Sequence, residues 1–184
     1  MKRLLDLVTA AVAICLLAPV LIVVSGMIYF SDFGPVIFKQ LRVGRGGKEF
    51  YIYKFRSMIV NAESLGGFST ADGDPRITKV GKLIRRTSVD ELPQLLNVLF
   101  GDMSIVGPRP DVPAQRVLYT EAEWQLRNSV RPGITGPAQA TLRSAATDIQ
   151  RKDLDLQYAR HNSLFVDFRI ILLTFKQVFS KGGN

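Results

Sequence analysis

Asp90 and Glu91 stand side by side behind a cluster of arginines, in the run Arg85-Arg86-Thr87-Ser88-Val89-Asp90-Glu91-Leu92-Pro93. Two carboxylates and two guanidiniums this close can bring a magnesium ion and a phosphate together. An ionised aspartate can attack phosphorus without a separate base. Magnesium would screen its charge from that of the phosphate, and Glu91 is the nearest further ligand. A purely structural reading accounts for part of the pattern. Ser88-Val89-Asp90-Glu91 fits a capping box, in which Ser88 caps a helix and Glu91 reaches back to it. That reading leaves Asp90 and the arginines unexplained, and a helix start with its free amides also attracts phosphate.

Three other segments offer cations in restrained settings. Gly107-Pro108-Arg109-Pro110 holds Arg109 between two prolines, each of which fixes its own backbone angle and restricts the residue before it. An arginine so presented suits bidentate phosphate binding. Arg131-Pro132-Gly133 repeats the device. Lys54-Phe55-Arg56 sets two cations two residues apart on one strand face, a pattern also expected of a solvated edge strand.

The composition limits the chemistry. One cysteine, Cys15, and one histidine, His161, leave no disulfide and no histidine- or cysteine-based zinc site, so a metal must be held by oxygen. The net charge of +8 is concentrated. Between Pro35 and Val60 stand Lys39, Arg42, Arg45, Lys48, Lys54 and Arg56 against Glu49 alone, and Arg76–Arg86 adds basic residues and no acid. Basic excess beside an apolar anchor points to anionic lipid headgroups. No base-reading motif and no aromatic-basic run is present, so nucleic acid is not an expected partner.

That anchor is Leu7 to Ser31, 25 residues without a charge, enough to cross a bilayer core. Two details favour a re-entrant path. Ala18-Pro19 lies near the middle, where proline removes a hydrogen bond and breaks or kinks a helix. Both flanks are basic, with Lys2-Arg3 before and Lys39, Arg42, Arg45 and Lys48 after, and the positive-inside tendency keeps both cytoplasmic. A helix-break-helix that enters and leaves one leaflet satisfies this; a single pass does not.

The remaining chain must position the charged residues. Val36–Val43 and Glu49–Arg56 read as a β-hairpin around Gly44-Arg45-Gly46-Gly47. Gly66 to Pro75 reads as a glycine-rich loop, Thr78–Arg86 as a short basic helix and Asp90–Phe100 as an apolar one. Asp111–Asn128, Asp148–His161 and Leu164–Phe179 are helical in pattern, and Arg131–Ala138 reads as a loop. The last helix carries apolar residues at 164, 165, 168, 171, 172, 175 and 179, a stripe fit for core or for a membrane interface. The expected fold is α+β and mainly helical. It divides into a membrane segment, 1–34, and a catalytic domain, 35–184.

KFRSM, DELPQLLNV, GDMSIVGPRP and RPGITG, in that order, resemble the monotopic phosphoglycosyl transferases of bacteria, the bacterial sugar transferase family. The resemblance extends over essentially the whole chain. Longer members carry extra N-terminal membrane spans, and this chain looks like the form without them. The resemblance implies transfer of a sugar-1-phosphate from a UDP-sugar to polyprenyl (undecaprenyl) phosphate, with release of UMP. By analogy Asp90 is the nucleophile, Glu91 helps it hold Mg2+, and Arg85, Arg109, Lys54, Arg56 and Arg131 are the basic residues near the substrate. Ala18-Pro19 corresponds to the break in a re-entrant helix, with amphipathic interfacial helices around an active site on the cytoplasmic face of the bacterial inner membrane. The family commonly has tryptophan after RPGITG, where this chain has Pro137, which unsettles any sugar or lipid contact assigned there. Membrane lipid is an implied partner, and the oligomeric state is open, a homodimer included.

Overall fold

The structure is a computed structural model that describes residues 1–62, 65, 73–142 and 147–181, with side chains to Gln177. Helix α1, Lys2–Asp32, is the longest element at 31 residues, about 45 Å at the usual rise. Its Asp6, Ala10, Val24 and Ile28 are buried, and Ala13, Ile14 and Leu21 partly so. These residues recur at helical spacing along one face. Leu5, Val8, Val12, Leu16, Ile22, Val23, Met27 and Phe30 are exposed, which makes the outer face apolar. Pro19 lies inside this helix, whose two halves form one element in sequence. Pro19 removes the amide that would bond to the Cys15 carbonyl, and the halves on either side of it pack against separate parts of the fold. Ala10 joins Ile52, Leu95, Val98 and Met103, and Val24 and Ile28 join Phe55 and Ile84.

Polar pins fix both ends of α1. Lys2 Nζ donates to the Val106 carbonyl at 3.0 Å, and Arg3 Nη1 to that of Val98 at 2.7 Å. The buried Asp6 carboxylate accepts from Ser104 Oγ and the Ile105 amide, bonds that offset the cost of burying it. At the far end Asp32 pairs with Arg56. The segment 1–34 thus shares two hydrophobic clusters with the rest of the chain.

Strands β1, Ile37–Val43, and β2, Glu49–Phe55, pair antiparallel with Phe38 opposite Lys54 and Arg42 opposite Phe50. A 3-10 turn over Arg45–Gly47 joins them, as the glycines suggested. Helix α2, Lys79–Arg86, is capped by Thr78, whose Oγ1 accepts from the Gly81 amide at 2.8 Å. Of the loop expected over 66–75, residues 66–72 lie outside the described residues.

Three expected elements differ. The apolar helix begins at Gln94 (α3, Gln94–Phe100), and Val89–Glu91 form a separate 3-10 turn. Ser88 adopts left-handed angles (φ 57°), which an N-cap does not use, and its side chain caps nothing. The capping box is absent, and Glu91 is free to turn elsewhere. Asp111–Asn128 divides into a 3-10 segment, Pro113–Leu118, and α4, Glu121–Arg127, because Thr120 and Glu123 form a capping box that starts a new helix. Arg131–Ala138 is more than a loop. It contains β4, Gly133–Thr135, parallel to β3, Ser104–Val106, and it runs into α5, Pro137–Thr141. Gly107 and Gly133 make this possible, since a Cβ on Gly133 would lie 2.1 Å from the Gly107 nitrogen. Helices α6, Asp148–His161, and α7, Leu164–Lys181, complete the fold.

Candidate active site

The short turn after α2 turns Glu91 toward β2 and the segment after β3. Lys54 Nζ meets Glu91 Oε1 at 2.8 Å, and Arg109 Nη2 meets the same oxygen at 3.0 Å. Lys54 comes from the end of β2 and Arg109 from between Pro108 and Pro110, so elements far apart in sequence converge on one carboxylate. Burial alone would raise the Glu91 pKa, but Arg109 and Lys54 together outweigh it and bring the group down to about 2. Asp90, half-buried beside it, moves the other way. Burial, then the Glu91 charge, push it from 3.8 to about 6, although Lys54, Arg85 and Arg109 pull against them. Arg85, in the last turn of α2, is therefore near enough to act on Asp90.

The opposite shifts predict opposite pH responses. With its folded pKa raised, Asp90 contributes stability that is fully present below its ordinary value and lost as pH rises through about 6. Glu91 contributes stability above its ordinary 4.5 that is lost as pH falls toward 2. Melting curves in the presence of a chelator are expected to show Asp90→Asn matching the native chain near pH 4 and exceeding it at pH 7. A difference that shrinks as pH rises would contradict this arrangement.

Five of the sequence-derived residues, Lys54, Arg85, Asp90, Glu91 and Arg109, are thus brought together. Two are not. Arg56 is buried against Asp32 at the end of α1, beside Gly34, where any side chain would strike its guanidinium. Arg131 turns its Nε to the Gly101 carbonyl at 2.9 Å and lines a different cavity, with Lys2 and Arg3.

Arg42 and Arg127 belong to the site's support. Arg42 shares the Lys54 face of the hairpin, a parity readable from the strand pattern. Its Nη1 donates to the Pro110 carbonyl at 2.8 Å, and burial, reinforced by Arg109, brings its pKa to about 10. Arg127 gave no local signal. It is fully buried, pairs with Asp155 at 2.8 Å and Asp111 at 3.1 Å, and donates to the Arg109 carbonyl at 2.6 Å. The proline-framed arginine is therefore held from below by a buried ion cluster. Arg127→Ala would strand two buried carboxylates and is expected to cost about 3–5 kcal/mol in denaturant unfolding.

Among the described residues no group of three or more His, Cys, Asp or Glu side chains is gathered as for a metal. Asp90 and Glu91 still fit magnesium, which commonly takes one or two carboxylates and completes its shell with water and substrate phosphate. Both ion pairs of Glu91 fall on Oε1. The arrangement can hold an anion against cations beside a partly buried, ionisable aspartate.

The family model for bacterial sugar transferases matches residues 1–181. The chain belongs to this family. Within it, the chain is 43% identical over 191 residues to the UDP-glucose:undecaprenyl-phosphate glucose-1-phosphate transferase of Escherichia coli (strain K12), a match covering all of this chain and 41% of that protein. It is 41% identical over 190 residues to the UDP-N-acetylgalactosamine-undecaprenyl-phosphate N-acetylgalactosaminephosphotransferase of Aeromonas hydrophila, covering 99% and 44%. A sugar transferase of Bacillus subtilis (strain 168) is 42% identical over 183 residues, covering 100% and 89%. The chain spans about two fifths of the length of the first two relatives and most of the third. The chain therefore corresponds to a segment that occurs both within longer proteins and nearly alone.

Proposed function

We propose that the chain transfers a sugar-1-phosphate from a UDP-sugar to polyprenyl phosphate through a covalent intermediate on Asp90. The observation that supports this best is the convergence of Lys54 and Arg109 on one oxygen of Glu91, next to Asp90. An Asp90 oxygen attacks the sugar-bearing phosphorus, the bond to the bridging oxygen breaks, and UMP leaves with that electron pair. An oxygen of the polyprenyl phosphate then attacks the same phosphorus and displaces Asp90, giving the polyprenyl-diphosphate sugar. Lys54, Arg85 and Arg109 hold the phosphate oxygens and stabilise the charge that gathers on them. Asp90 and Glu91 are the residues that would hold Mg2+, which would screen carboxylate from phosphate. One phosphoanhydride is broken and one made, so the barrier lies in bringing anions together. Purified protein given a UDP-sugar panel, glucose and N-acetylgalactosamine included, is expected to release UMP only with undecaprenyl phosphate present beyond the first turnover. Sustained release into water at the same rate without it would replace transfer with hydrolysis.

The same reading places α1 in one leaflet of the bacterial inner membrane, with both ends and the active site on the cytoplasmic side. A spanning helix would carry its ends to opposite faces of a core about 30 Å thick. Lys2, Arg3 and Asp6 at one end and Asp32 at the other are bonded to one folded body, while the outer face is apolar. Helix α7 adds an exposed row of Phe165, Phe168, Leu172 and Phe175, suited to lie at the interface. Single cysteines near Lys2 and Lys48, in a Cys15-free background, are expected to label from the cytoplasmic side alike. Labelling from opposite sides would mean a spanning helix.

A further inference from the structure

A cavity of about 320 Å3 lies at the start of α1, apart from the Asp90 cluster. Its lining includes Lys2, Arg3, Arg45 and Arg131, with Asp6 as the one acid. The acid is already engaged, since its oxygens accept from Ser104 and the Ile105 amide. Lys2 has its own partner in Asp167. Positive charge therefore remains in excess. The two arginines are held in a telling way. Arg45 donates its Nε to the Ser129 carbonyl at 3.1 Å, and Arg131 donates its Nε to that of Gly101 at 2.9 Å. Among the described contacts neither arginine uses its two terminal nitrogens. Each guanidinium is thus oriented by the protein with its fork unspent, which is the arrangement that takes a phosphate bidentately.

The surroundings narrow the source of that phosphate. Leu4 and Leu5, which follow Arg3, are 66% and 52% exposed, and Phe165, three residues beyond the lining residue Asn162, is 77% exposed. These residues do not line the cavity but lie in the first turns of α1 and α7, near in sequence to residues that do. An anionic lipid, unlike a free anion, has both a charged head and chains to cover them. We propose that this cavity seats the phosphodiester head of an anionic bilayer phospholipid, gripped by Arg45 and Arg131, with its acyl chains running toward the exposed apolar residues at the starts of α1 and α7, Leu5 and Phe165 among them. The seat rests on the membrane reading above and is separate from acceptor binding. It gives Arg131 a role that the Asp90 cluster does not. It would also fasten the first turn of α1 at headgroup depth.

The test uses the full chain, purified in detergent and reloaded with equal phosphatidylglycerol and phosphatidylcholine, then read by native mass spectrometry. One phosphatidylglycerol per chain is expected to be retained, at about tenfold preference, and the double variant Arg45→Gln, Arg131→Gln is expected to lose that preference. Should that variant lack native circular dichroism, Arg45→Lys, Arg131→Lys keeps the charge without the fork and is expected to lower the preference several-fold. Unchanged preference in a folded variant would overturn the proposal. So would equal retention of the two lipids by the native chain, or displacement of phosphatidylglycerol by millimolar inorganic phosphate or by undecaprenyl phosphate. Asp90→Asn should keep the lipid, so the lipid seat and the transfer reaction can fail independently.

Discussion

On the proposed mechanism, the Asp90→Asn variant is expected to lose at least roughly 10^4-fold in UMP release, the scale of removing a covalent nucleophile. It should still fold and partition to membranes. The substitution keeps the size of the side chain and removes its capacity to attack phosphorus. It also removes a charge that the site holds at some cost, since burial and Glu91 push the Asp90 pKa to about 6. Loss of activity with equal or greater thermal stability at pH 7 is therefore the expected pair of results. A membrane adaptor that merely displayed a basic surface would tolerate the change. Turnover within tenfold of the native rate would remove Asp90 from the chemistry.

Arg109→Ala is expected to lower kcat/KM for the donor by about 10²–10³-fold, the scale of removing one donor that stabilises developing charge. The side chain stands about one third exposed, its charge 3.0 Å from Glu91, and its backbone is fixed by Pro108, Pro110 and the bond from Arg127. That fixation means little is spent on ordering the side chain when substrate arrives. Arg109→Lys is expected to recover only a small part of the loss, because an ammonium cannot reproduce the planar fork. Initial rates over a range of UDP-sugar concentrations measure both. Lysine restoring nearly full activity would reduce the role of Arg109 to bulk charge.

Much of this was legible in the residues. The hairpin, α2, α6 and α7 follow from alternation, helical spacing and glycine placement, and each lies where those signals put it. Arg85, Asp90 and Glu91 stood out by their spacing and Arg109 by its two prolines, whereas Lys54 fitted an edge strand as well and joined the set only through the resemblance. The remainder depended on contacts between distant segments. Ser88 looks like a cap in one dimension, but its left-handed backbone frees Glu91 for Lys54, which lies 37 residues earlier. The β3–β4 pairing is too short to leave a periodic trace and rests on two glycines that let backbones touch. Arg56 and Arg131 carry the same charge and the same kind of local motif as Lys54 and Arg109. What separates them is the partner each finds, Asp32 for one and the Gly101 carbonyl for the other. Pro19 was readable as a weak point of the backbone, whereas the packing of α1 on both sides of it, through Ala10 and through Val24 and Ile28, was not.

The proposed reaction turns on a covalent bond between Asp90 and a phosphosugar. Incubating the protein with its UDP-sugar in the absence of polyprenyl phosphate, followed by acid quench and mass spectrometry, tests it directly. A mass gain of one sugar phosphate on the peptide containing Asp90, one UMP released per adduct, and loss of the adduct when polyprenyl phosphate is added are the expected results. Turnover with both substrates but no adduct, or an adduct on another residue, would rule out the Asp90 intermediate.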